Sequence, residues 1–198
     1  MGKSEITREA LLDAALYEAS LSGIARLTLA PVAAAAGRSK GGLLRHFPSK
    51  ESLQIAVLEH ALSSFRHYVL EPALPMPSGL PRLRAIMENW LSWTERAGLP
   101  GGCPILSSQY AFDDRDSAVC AHVREAWTSW QSYLRRQASK AQEASQLPPG
   151  LTPEALAMLM VGLKATAQME SRLLKDDDAN RRALRLFDHL TGRAEPAN

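Results

Sequence analysis

A chain of 198 residues with only 18 Val, Ile and Thr has almost nothing from which to build a β-sheet. Strands are stabilised by β-branched and aromatic side chains packed on a pleated surface. Ala and Leu together supply 59 residues, and both enter a helix with little loss of rotamer freedom. An all-α protein is therefore expected. Hydrophobic residues make up 45% and charged residues 22%, the balance of a packed globular chain rather than a disordered one.

The longest apolar run, Ala155 to Val161, is far shorter than the ~20 residues a membrane-spanning helix needs. Met1-Gly2-Lys3-Ser4-Glu5 lacks the apolar stretch of a signal peptide. Two cysteines, Cys103 and Cys120, are too few for a disulfide framework or a metal site of their own. These features point to a reduced, cytoplasmic chain with no membrane partner, no metal and no cofactor.

Helix punctuation orders the chain. Thr7 is read as the N-cap of a first helix carrying Leu12, Ala15, Leu16 and Ala19 at helical spacing, ended by Gly23. Thr28 caps a short second helix with Pro31 in its first turn. Gly37-Arg38-Ser39 makes a tight turn, and a third helix runs from Lys40 to Phe47 before Pro48. Ser49 caps a long fourth helix limited by Pro72, and the Pro-rich stretch from Pro72 to Pro81 is a candidate boundary. Further helices are expected around Leu83–Trp93, from Pro104, after the acidic run Asp113–Asp116, from Thr152-Pro153, and after Asp176–Asp178 to Gly192, with Arg193–Asn198 frayed. Asp176 to Asp178 reads as a solvated helix start rather than a metal loop. The expected division is 1–52 as a three-helix helix-turn-helix domain, 53–80 as a connecting helix and linker, and 81–198 as a larger helical bundle.

Charge is unevenly spread. From Ala19 to Lys50 there is no Asp or Glu but five cations, Arg26, Arg38, Lys40, Arg45 and Lys50. The remainder is mildly acidic, with 18 basic and 21 acidic residues. Such asymmetry suits one part meeting a polyanion while the other does not. Two short helices around a Gly-containing turn can lay the second helix in a DNA major groove. That helix opens Ser39-Lys40-Gly41-Gly42, and each glycine in its first turn costs roughly 1 kcal/mol of helix propensity. Stability does not explain the pair, whereas bare backbone would let the helix approach base edges. Lys40 and Arg45 could reach bases or phosphates, and Lys50 stands at the start of the next helix, where anions are favoured.

The residues Thr7-Arg8, Ala14-Ala15, Gly23, Thr28, Ala36-Gly37, Ser39-Lys40-Gly41 and His46-Phe47-Pro48-Ser49-Lys50-Glu51-Ser52-Leu53 resemble the DNA-binding domain of TetR-family transcriptional regulators. The resemblance covers about the first quarter of the chain, in matching order and spacing. It implies that Thr28, Ser39, Lys40, Gly41, Arg45, His46 and Lys50 fall at DNA-contacting positions, with Gly42 and Leu44 on the same edge. Leu44 departs from the family, which usually carries a phosphate-contacting Tyr there; that contact is expected to be lost or taken over by Arg45. Ala19 stands where Phe is common. The resemblance also implies a C-terminal domain that binds a small molecule and dimerises.

In that body, Trp90, Trp93, Tyr110, Trp127 and Trp130 are candidates to line an apolar pocket, although burial as ordinary core accounts for any one of them. Cys103, just before Pro104 at a helix start, is a candidate electrophile or oxidant sensor, with a packed-away thiol as the alternative. The helix after Thr152 is apolar on two sides. Leu156, Leu159, Met160, Leu163 and Ala167 form one stripe; Met158, Val161, Ala165 and Met169 form another. With Leu184, Phe187 and Leu190 of the last helix, they suggest a two-fold interface built as a four-helix bundle. The expected function is a ligand-responsive repressor, a homodimer released from a pseudo-palindromic double-stranded operator by a small apolar or aromatic effector. Two rival readings stay open: a helical protein-interaction module, and an enzyme whose groups converge only in the fold, since no phosphate loop, dinucleotide fingerprint, nucleophile elbow or metal motif is present.

Overall fold

The computed structural model describes residues 3–37, 39–112 and 116–192. Among them are nine α-helices and no strand: α1 Lys3–Ser22, α2 Leu29–Ala35, α3 Lys40–Leu44, α4 Lys50–Phe65, α5 Leu80–Arg96, α6 Pro104–Phe112, α7 Ala118–Glu143, α8 Pro153–Leu173 and α9 Ala179–Leu190. Arg38 of the expected turn, Asp113, Asp114 and Arg115 ahead of α7, and the C-terminal stretch from Arg193 lie outside the described residues. The chain forms two compact units, Met1–Ser64 with Ala97–Trp127, and Phe65–Arg96 with Thr128–Asn198. No described helix is long and apolar enough to cross a membrane.

In the first unit, α1 starts upstream of the expected cap, because nothing in Lys3-Ser4-Glu5-Ile6 breaks a helix; Thr7 lies inside it. Its end is as read. Gly23 takes φ 85°, and its N–H donates to the Ala19 carbonyl at 2.8 Å. Leu12, Ala15, Leu16 and Ala19 face the core with Ile24, Val32, Leu43, Phe47, Leu53 and Val57. The Gln54 side-chain amide donates to the Ile24 and Ala25 carbonyls at 2.9 and 3.0 Å, tying α4 to the 3-10 turn Ile24–Arg26. Elsewhere in this unit, the Gly101 N–H donates to Ser20 Oγ at 3.2 Å, holding the turn before α6 against the last turn of α1.

In the second unit the fourth helix does not run regularly to Pro72. After Phe65 it widens into a π-helical turn over Arg66–Leu70, then closes in a 3-10 turn, Glu71–Ala73. Pro72 has no N–H to offer the Tyr68 carbonyl four residues before it. Arg96 fills that place, its Nη2 donating to the Tyr68 oxygen at 2.8 Å. Asn89 Nδ2 donates to the neighbouring Val69 carbonyl at 3.2 Å, so two α5 side chains bond to carbonyls of this irregular turn. The start of α5 is held by side chains of the α7 region: Gln137 Oε1 accepts from the Gly79 N–H, and Gln146 Oε1 from the Leu80 N–H. Arg84 grips Asp188 through two bonds of 2.8 and 3.0 Å and so ties α5 to α9. Thr152 caps α8 as read, its Oγ1 accepting from the Ala155 N–H at 3.2 Å.

The α8–α9 connection is a charged junction. Arg182 bridges Glu170 and Asp176, while Asp178 accepts from Arg181 and Arg185. Hydrogen bonding to Arg182 holds the Asp176 carboxyl below its ordinary range, and Arg185 does the same for Asp178. Folded values below the unfolded ones mean stability present above the ordinary carboxylate pKa, ~3.9, and lost as pH falls through the folded values. A carboxyl ¹³C titration is expected to place both midpoints below that ordinary value. Midpoints at or above it would show that these ion pairs do not form in solution.

Candidate nucleic-acid interface

The candidate reading edge is built on α2, the turn after it and α3. Thr28 is the N-cap of α2, exposed, and its hydroxyl makes no cap bond. Gly37 takes φ 63°, the left-handed conformation the turn demands. Ser39 then caps α3, its Oγ accepting from the Gly42 N–H at 3.2 Å. The third helix is shorter than its sequence suggests. Regular α-structure stops at Leu44, and the chain tightens as the His46 and Phe47 N–H groups both turn to the Leu43 carbonyl, at 3.0 and 2.9 Å.

Burial sorts this segment by its role. Leu43 and Phe47 are buried and anchor α3 to the core, with the Arg8 guanidinium 5.5 Å from the centre of the Phe47 ring. Ser39, Gly41, Leu44, Arg45 and Lys50 are exposed; Gly42 and His46 are half-buried. Lys40 is the first residue of α3. A Cβ on Gly41 would meet nothing within 4 Å, and one on Gly42 would meet only Ser39 Oγ at 3.5 Å, an ordinary contact. Neither glycine takes a positive φ. Two costly glycines thus stand in the first turn of α3 with no reason inside the protomer for their presence.

Lys50 opens α4 beside a reciprocal cap that the sequence reading assigned to Ser49 alone. Ser49 Oγ accepts from the Ser52 N–H and Ser52 Oγ from the Ser49 N–H, both at 3.0 Å. Exposed Arg26, Arg45 and Lys50 leave this part of the surface positive.

The candidate ligand residues do not all meet. Trp90 and Trp93 of α5 and Trp130 of α7 gather around Phe65, whose ring lies edge-on to each at 5.8, 5.6 and 5.0 Å. Tyr133 stacks on Trp130 at 5.9 Å. Phe65 carried no sequence signal as a member of this group, because it stands on α4, three α-helices before Trp130 and Tyr133 on α7. Tyr110 is 71% exposed on α6, and Trp127 is half-buried. Cys103 is buried, with Sγ accepting from the Leu106 N–H at 3.3 Å. Among the described residues no group of three or more His, Cys, Asp or Glu side chains is placed to hold a metal ion.

On α8 and α9 the two apolar stripes part company. Leu156, Met160, Leu163, Ala167 and Phe187 are buried within one protomer, and Leu159 and Leu184 are half-buried. Met158, Met169 and Leu173 are exposed at 76, 57 and 73%, as are Leu186 and Leu190 of α9.

A family model described as bacterial regulatory proteins of the tetR family matches residues 11–57, spanning the helix-turn-helix just described. A second, the tetracyclin repressor-like C-terminal domain, matches residues 79–187, more than half of the chain. The chain belongs to the TetR family. It is accordingly a DNA-binding transcription regulator. This TetR chain is similar in fold to a TetR transcriptional regulator from Chloroflexus aurantiacus J-10-FL, with a TM-score of 0.85, 26% identity and 98% of each chain covered. It is also similar to a TetR-family regulator from Cytophaga hutchinsonii, at TM-score 0.78 and 20% identity over 100% of this chain and 99% of that one. AibR, solved in complex with isovaleryl coenzyme A and operator DNA, matches at TM-score 0.75 and 20% identity over 97% of this chain and 100% of its own. No curated protein sequence matches the TetR chain.

Proposed function

We propose that this TetR regulator is a cytoplasmic repressor that binds a pseudo-palindromic operator as a homodimer and leaves it when a small apolar or aromatic effector binds. The observation that carries the reading is the glycine-opened first turn of α3, exposed and unexplained by packing or backbone conformation. Thr28, Ser39, Lys40, Gly41, Gly42, Arg45, His46 and Lys50 are the contacts assigned to DNA, with Leu44 adding apolar surface where a phenol would contact phosphate. The exposed stripe Met158, Met169 and Leu173, with Leu186 and Leu190, supports a second copy packing there, because the neighbouring stripe is already buried. AibR, a protein of this fold, holds both an acyl coenzyme A and operator DNA. An effector that prefers one subunit arrangement by ~1–3 kcal/mol changes operator affinity 5- to 150-fold.

Footprinting on the DNA flanking its own gene tests the reading. Two protected half-sites about one helical turn apart are expected. Lys50→Ala is expected to weaken binding and to lower the slope of log K against log salt by about one unit. A salt slope unchanged in that variant, or protection of a single asymmetric site, would overturn the assignment.

A further inference from the structure

Five aromatic rings of the second unit form one cluster with its polar edges unmet. The indole N–H groups of Trp90, Trp93 and Trp130 and the Tyr133 hydroxyl are buried without a hydrogen-bond partner. Trp90 and Trp93 are 3 and 0% exposed. A buried donor without an acceptor is costly, and Trp and Tyr usually find one when they are buried. Three of these four atoms are indole nitrogens, which can only donate; the Tyr133 hydroxyl can donate or accept.

Phe65 occupies the middle of this cluster. Its ring meets three indoles edge-on, which satisfies their demand for aromatic packing and none of their demand for an acceptor. Phe65 is also the last α-helical residue before the π-helical turn Arg66–Leu70. Single π-turns inside α-helices occur often at functional sites, and they hold one residue more than the regular turn.

We propose that the effector is a neutral aromatic molecule carrying a carbonyl oxygen, that its ring takes the place of the Phe65 ring, and that the two lone pairs of its oxygen accept from the buried indoles of Trp90 and Trp93. This deepens the regulator reading and rests on it. The donors are neutral, so a carbonyl satisfies them without the burial cost a carboxylate would bring.

The full-length protein labelled with ¹⁵N at its tryptophans is titrated with acetophenone and, separately, with ethylbenzene of nearly equal size. Acetophenone is expected to shift the indole N–H resonances of Trp90 and Trp93, and ethylbenzene to bind at least about fivefold more weakly, the loss of one hydrogen bond. Trp93→Phe keeps a ring but removes the donor, and is expected to shrink that preference. Phe65→Ala opens a cavity that either probe can enter, and the site requires that acetophenone still binds more tightly than ethylbenzene there, whereas a merely structural Phe65 would leave a cavity that favours the more apolar ethylbenzene. Equal response to the two probes, or none in either the wild type or Phe65→Ala, overturns the site. Footprinting of the unliganded protein separates the two failures: a normal footprint with no carbonyl-dependent response leaves the regulator standing and removes this effector, while a missing footprint removes the regulator whatever the indoles do.

Discussion

Gly101→Ala is expected to cost about 3 kcal/mol of folding stability, at the upper end for a single added methyl group in a packed region. A Cβ at Gly101 would sit 1.6 Å from the Ser20 carbonyl oxygen, 1.8 Å from the Ser20 carbonyl carbon and 2.3 Å from the Leu21 nitrogen. All three are backbone atoms, so no rotamer change relieves the clash. The turn must lift away from α1, and the Gly101 N–H must give up Ser20 Oγ. Gly101 does not take a positive φ, so a loss here reports contact and not backbone strain. Urea unfolding checks this through a lowered midpoint with unchanged slope. A midpoint within experimental error of the wild type would show that the close approach of α1 and this turn is absent in solution.

Phe47→Ala is expected to destabilise the first unit by about 3–5 kcal/mol, the range for deleting a buried phenyl ring. The ring is 1% exposed and lies under the Arg8 guanidinium, so its removal opens a void and frees a cation at once. Because Phe47 follows directly on the turn that ends α3, operator binding is expected to go with it. Leu44→Ala, three residues earlier and 39% exposed, is the matched control. It should change stability by less than about 0.5 kcal/mol. Equal midpoints for the two variants would mean that the burial pattern of this segment is wrongly assigned.

Much of the fold was legible because it is governed by local chemistry. Gly23 and Gly37 supply the positive φ that ends a helix or turns the chain, and Ser39, Ser49 and Thr152 supply side-chain oxygens to the first free N–H groups. Where reading failed, a distant residue decided. Pro72 announced the end of the fourth helix, but the π-turn ahead of it depends on Arg96 and Asn89 accepting the task of capping Tyr68 and Val69. Thr7 suits a cap by residue type, yet a helix begins wherever nothing upstream breaks it, and here that is Lys3.

The segment proposed to read DNA stands out in the sequence for the same local reason: two glycines, a cap and a run of cations lie within a dozen residues. The aromatic cluster was not, since Phe65, Trp90 and Trp130 come from three helices and only packing brings them together. The two stripes of α8 were visible as periodicity, but periodicity carries no information about which stripe finds a partner inside its own chain. Burial of Leu156 and Met160, with Met158 left exposed, answers that. Composition, caps and charge order along the chain thus determined the all-α class and the segment proposed to read DNA, because each acts over a few residues. Tertiary structure alone decided which apolar faces remain open and which indoles lack acceptors, because both depend on neighbours far away in sequence.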